Sequence, residues 1–118
     1  MTIDERTSGG VTILDVRGRI TIEVVEDMLL ANRVRELLQQ GRTQVVLNLE
    51  GVPYADTTGL CNIVQAYITT TRQGGALKLL NPTPHVRQLL TVTRLSTILD
   101  IYDSEADAVA SCKPSASI

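Results

Sequence analysis

Apolar positions change their period several times along the chain, and each change marks an element. Val11-Thr12-Ile13-Leu14-Asp15-Val16-Arg17 is β-branched and partly alternating, which predicts a strand. Ser8-Gly9-Gly10 before it is a turn, and Ile3 to Thr7 supplies a short partner strand, so the chain opens with a hairpin. Gly18 ends the second strand. From about Glu23 to Gln40 the period becomes helical. Leu30, Val34, Leu37 and Leu38 form one apolar stripe, Arg33, Glu36 and Gln40 face away, and Gly41 stands where a left-handed cap stops a helix.

Gln44-Val45-Val46-Leu47-Asn48-Leu49 is a nearly continuous apolar run, the signature of a central strand covered on both faces. Gly51 to Ala55 reads as a loop. Asp56-Thr57-Thr58-Gly59 precedes a second helix, in which Leu60, Ile63, Val64, Tyr67 and Thr71 recur at helical spacing and Gly74-Gly75 is the stop. Ala76 to Leu80 is the next strand. Thr83 and Pro84 are placed as cap and first residue of a third helix, with Val86, Leu89, Leu90 and Thr93 on one face. Ile98 to Tyr102 is expected to be the last strand and Ser104 to Ser111 the last helix, with Ser104 as its cap. The expected domain spans residues 1–112, and 113–118 form a frayed, flexible tail. Strand and helix alternate after the hairpin. That order predicts a single α/β domain with a central mixed, mostly parallel sheet of about four to five strands, covered by about four helices.

Composition narrows the function more than the fold. The chain has 118 residues, room for one core; 43% are hydrophobic and 20% charged, and the formal net charge is −2. No basic patch invites a nucleic acid or an anionic membrane surface, and no apolar run is long enough to cross a bilayer. The first five residues carry no secretory pattern. Cys61 and Cys112 match no zinc or redox spacing and read as reduced thiols, Cys61 within a helix and Cys112 in the loose tail. A cytoplasmic protein is expected.

Signs of enzyme chemistry are missing. Neither phosphate-binding glycine pattern is present, because Gly74-Gly75 follows a helix instead of opening one. His85 is the only histidine and has no nucleophile partner in the sequence, so an exposed place in a helix's first turn suits it better than a triad. Asp100, Asp103, Glu105 and Asp107 cluster around a strand end and a helix start, where acids complement the helix dipole. The residues suggest no metal site, no cofactor and no catalytic group.

The informative stretch is Val45 to Leu60, in which a buried strand leads through Gly51-Val52-Pro53-Tyr54-Ala55 to Asp56-Thr57-Thr58-Gly59-Leu60. On its residues alone it is a strand, a turn and a helix capped by Asp56 or Thr57. It also resembles the signature of STAS domains of the anti-sigma factor antagonist family, in which a hydrophobic strand leads to Asp-Ser-Ser/Thr-Gly-Leu at a helix start. The resemblance runs from about Ile3 to Ala110. It takes in Gly18-Arg19-Ile20, Gly41, Ala76 to Asn81, Val86 to Leu90 and Leu95 to Tyr102. It implies a partner-switching protein that regulates transcription and is not an enzyme.

The unphosphorylated form would bind an anti-sigma factor, itself a GHKL-type kinase, through Asp56, Thr57, Thr58, Gly59 and Leu60. Phosphorylation would inactivate it, and a PP2C-type phosphatase would reverse this. The acceptor maps to Thr58, with Thr57 as the alternative; both hydroxyl positions are Thr where sigma-regulating members usually carry Ser at the acceptor. The other reading of the resemblance is a constitutive adaptor, either a stressosome component or the cytoplasmic accessory subunit of a lipid transporter. Val25 and Leu29, beside Met28 and off the main stripe of the first helix, read first as a more deeply buried helix start and, if exposed, as a homodimer or partner patch.

Overall fold

A computed structural model describes residues 2–20 and 29–112. The hairpin is β1 (Thr2–Ser8) and β2 (Val11–Arg17), paired antiparallel from Thr2 opposite Arg17 to Ser8 opposite Val11. The helix α1 (Leu29–Gln39) follows, then β3 (Gln44–Gly51), α2 (Thr57–Arg72), β4 (Ala76–Leu80), α3 (Pro84–Val92), β5 (Ile101–Tyr102) and α4 (Glu105–Cys112). The sheet order is β1-β2-β3-β4-β5, and every pair after the hairpin is parallel. The expected mixed, mostly parallel sheet is therefore present. The expected start of the first helix at Glu23 lies outside the described residues, as do Val25, Met28, the side chain of Leu29 and the tail from residue 113.

Period-two alternation divides the sheet between two cores. Val45, Leu47 and Leu49 of β3 point to the face covered by α1, α2 and α3, where they meet Leu30, Val34, Leu37, Leu60, Ile63, Val86 and Leu90. Val46 points the other way and joins Val11, Ile13, Leu80, Ala108, Val109 and Cys112 beneath α4. Both faces of β3 are thus covered, which explains its continuous apolar run. The stripe expected on the first helix is the buried one, with Leu30, Val34, Leu37 and Leu38 all at most 5% exposed. Gly41 closes that helix at φ 82°, in the left-handed region.

Four expectations change. Ile98 to Tyr102 is not one strand: Leu95–Thr97 form a 3-10 turn after left-handed Arg94, Ile98 is exposed, and only Ile101 and Tyr102 pair, with Leu79 and Leu80. β-branched residues read locally as a strand, but β4 pairs them with only its last two residues. Cys112 is not in the tail; it is a buried residue at the end of α4. On α2 the inward residue near the C-terminus is Thr70 and not Thr71: Thr70 follows Ile63 and Ala66 on the buried face, where its hydroxyl is satisfied by donating to the Ala66 carbonyl at 2.8 Å, while Thr71 makes the equivalent bond to Tyr67 and is exposed. Thr83 precedes Pro84 at the start of α3 as expected, but its hydroxyl donates to the Val52 carbonyl at 2.7 Å and does not cap the helix.

Candidate functional site

The turn from β3 into α2 is held from both sides by backbone. On one side the segment after β2 runs parallel to it: Gly18 N–H donates to the Gly51 carbonyl, Ile20 N–H to the Tyr54 carbonyl, and Asp56 N–H to the Ile20 carbonyl. On the other side, the start of α3 contributes the Thr83–Val52 bond and an Nε2 contact of 3.2 Å from His85 to the Ala55 carbonyl. Val52 and Ala55 are buried between them. A loop with this many external anchors presents its next residues in one fixed place.

Those residues are the motif. Asp56 is the N-cap of α2, extended at φ −103°, and its Oδ1 accepts from Gly59 N–H at 2.5 Å. Of the two caps left open by the sequence, Asp56 is the one that forms. Gly59 has no alternative: a Cβ there would lie 2.0 Å from the Ile20 carbonyl oxygen, a backbone atom that cannot step aside. Leu60 turns into the core at 2% exposure. Thr57, the first helical residue, is exposed. Thr58 is the second; its side chain lies outside the described residues. The five residues are contiguous on one turn, but they divide: Gly59 and Leu60 anchor the turn, Asp56 caps it, and Thr57 stands in solvent. Cys61 lies within the helix as expected and is exposed, with its Sγ 3.9 Å from the Thr57 carbonyl.

Three neighbours of the turn escaped the sequence reading. The rings of Tyr54 and His85 stack with centroids 4.7 Å apart and planes 20° from parallel, and the Arg19 guanidinium lies 5.0 Å above the Tyr54 ring. They come from three different segments. The signal available in the sequence was an aromatic residue in a polar turn between a strand and a helix start.

The strongest electrostatics are elsewhere. Arg6 on β1 donates through Nε to Asp15 at 2.7 Å and through its terminal nitrogens to both oxygens of Glu105 at 2.6 and 2.9 Å, while Asn48 Nδ2 donates to Asp15 at 2.8 Å. The bonds from Arg6 hold the Asp15 and Glu105 carboxyls below the usual carboxylate range and raise the guanidinium above its own. This cluster ties the hairpin to the start of α4. Asp100 and Asp103 are likewise bonded, to Lys78 and Arg87. Burial pushes the Cys112 thiol up, away from reactivity. Among the described residues no group of three or more metal-ligating side chains could hold an ion.

With the fold and the turn established, comparison with known proteins is decisive about family. The STAS domain model matches residues 2–108. The chain belongs to the STAS domain family. An anti-sigma-B factor antagonist of Bacillus subtilis is 34% identical over 80 residues, covering 68% of this chain and 72% of that one. A crystal structure from Thermotoga maritima superposes with a TM-score of 0.84 at 25% identity, covering 95% of both chains. The Bacillus cell fate determinant SpoIIAA in its phosphorylated form shares the fold at 18% identity and a TM-score of 0.70, over 95% of this chain and all of that one. Among the described residues of this STAS domain, no helix is long and apolar enough to cross a membrane.

Proposed function

We propose that this STAS domain is an anti-sigma factor antagonist that is switched by phosphorylation at the start of α2. It binds by surface complementarity and performs no catalysis. The unphosphorylated form docks the Asp56–Leu60 turn on a GHKL-type anti-sigma factor kinase and so frees a sigma factor. The kinase transfers the γ-phosphoryl of ATP to the Thr58 hydroxyl oxygen, with Thr57 as the alternative acceptor, releasing ADP and a proton. A PP2C-type phosphatase hydrolyses the ester. The setting is the cytoplasm, where sigma factors and ATP are found.

The observation that carries this reading is the fixed turn that sets the start of α2, where the alternative acceptor Thr57 is exposed. A phosphate there adds about −1.5 to −2 charges. Within the domain, the helix dipole and first-turn N–H groups favour that charge. Against a docked partner the same charge is desolvated and unpaired, at a cost of roughly 3–5 kcal/mol, more than a hundredfold in affinity. Binding is therefore lost without unfolding. The relative named an anti-sigma-B factor antagonist, and the existence of a phosphorylated form of SpoIIAA, support the same reading.

Incubation with the cognate kinase and ATP, followed by mass spectrometric mapping, tests it. One phosphate on the peptide containing Thr57 and Thr58 is expected, abolished by Thr58→Val. A chain that remains unmodified at both positions contradicts the switch and leaves the constitutive adaptor.

A further inference from the structure

Arg19, Tyr54 and His85 meet only because Ile20 and Ala55 lie side by side in the two segments that clamp the turn. The stack stands beside the start of α2: Tyr54 is two residues before Asp56, and Ile20, next to Arg19, accepts the Asp56 N–H. Arg6, Arg42 and Arg87 are each ion-paired, Arg6 with two carboxylates and the others with one. Arg19 makes no ion pair among the described residues, although its guanidinium is held over an aromatic face. A guanidinium lying on a ring keeps its edge N–H groups for another acceptor. Because the side chain is already placed, little rotamer freedom is lost on binding.

The surroundings say what kind of acceptor. His85 also lines a 260 Å³ groove on α3 with Gln88, Leu89 and Val92, and Val92 is 71% exposed. Tyr54 is 37% exposed. A held cation beside an aromatic ring and an apolar groove matches the residue types that dominate protein interfaces. A free anion would satisfy the cation and leave the groove empty.

We infer that Arg19 on the Tyr54–His85 stack selects the partner, by receiving a carboxylate from a protein segment whose neighbouring apolar side chain fills the α3 groove. This rests on the antagonist reading and deepens it: the occupant is an acidic surface of the anti-sigma factor. An acidic surface docked there also accounts for the force of the switch, since it would meet the new phosphate as like charge.

The test is titration calorimetry of the full chain against the purified anti-sigma factor kinase. Arg19→Glu is expected to bind roughly thirtyfold more weakly than wild type. Arg19→Lys, which keeps the charge but loses the planar fork, should bind several-fold more weakly. Melting temperatures of both should match wild type, because Arg19 is exposed. One Asp→Lys or Glu→Lys change on the kinase should restore binding to Arg19→Glu and to no other variant. Wild-type affinity in Arg19→Glu, or failure of every acid-to-lysine change to restore it, overturns the inference while the antagonist reading stands. A kinase that does not bind the wild-type chain overturns both.

Discussion

At the start of α2 the turn is positioned by backbone bonds from Gly18, Ile20 and Asp56 and by the cap on Gly59, and an exposed threonine is left facing solvent. On the sheet face that carries α4, Arg6, Asp15, Asn48 and Glu105 spend their hydrogen bonds on one another. The second region has the shifted carboxyls and the ion pairs and looks more like a site. Its groups are already satisfied, so it has little to give a ligand; it acts as a clasp between β1 and α4. The first region has no charge cluster, but its rigid frame leaves hydroxyl chemistry available. Perturbed titration marks functional candidates only when the perturbing partners leave something unspent.

Substitutions should separate the two regions sharply. Gly59→Ala forces a methyl group against the Ile20 carbonyl, and because both sides are backbone the turn must move. Urea titration is expected to show a loss of about 3 kcal/mol, and a stability equal to wild type would mean the clamp is loose. Asp56→Ala removes the cap on Gly59 and should cost about 1 kcal/mol in the same titration, with Asp56→Asn recovering most of it.

Across the sheet the signature is pH. The Asp15 and Glu105 carboxyls are held below their unfolded values, so their contribution is fully present above the ordinary carboxylate range. It fades as pH falls through their folded values. Arg6→Gln should lower stability at neutral pH by about 1 kcal/mol, the modest figure expected for partly exposed ion pairs, and the gap to wild type should narrow as pH falls below the ordinary carboxylate range. A gap that persists in acid would show that Arg6 acts through packing. Smallest of all is Thr57→Ala, which removes an exposed side chain and should change stability by less than about 0.5 kcal/mol.

Sequence patterns disclosed the elements better than their neighbours. The helix start at Asp56–Thr57, the stripe of α1, the Gly41 stop and the buried β3 were legible because each depends on spacing within one segment, although the choice of Asp56 as the cap was not. The reason for Gly59 was not legible, because it lies with a carbonyl 39 positions earlier in the chain. Nor was the length of β5, which is set by how much of β4 pairs with it, nor the burial of Cys112, which depends on α4 continuing to that residue and packing on Val11, Ile13 and Val46. At the candidate site the motif stood out in the sequence, whereas the Arg19–Tyr54–His85 stack required three segments to be brought together.

The central claim is that a phosphate at the start of α2 repels the partner and leaves the domain intact. Its most direct test is to purify the phosphorylated and unphosphorylated chains and measure, for each, both affinity for the anti-sigma factor kinase and melting temperature. Affinity should fall more than a hundredfold while the melting temperature moves by no more than about 2 °C. Equal affinities, or a loss of affinity that comes with a collapse in melting temperature, would contradict it.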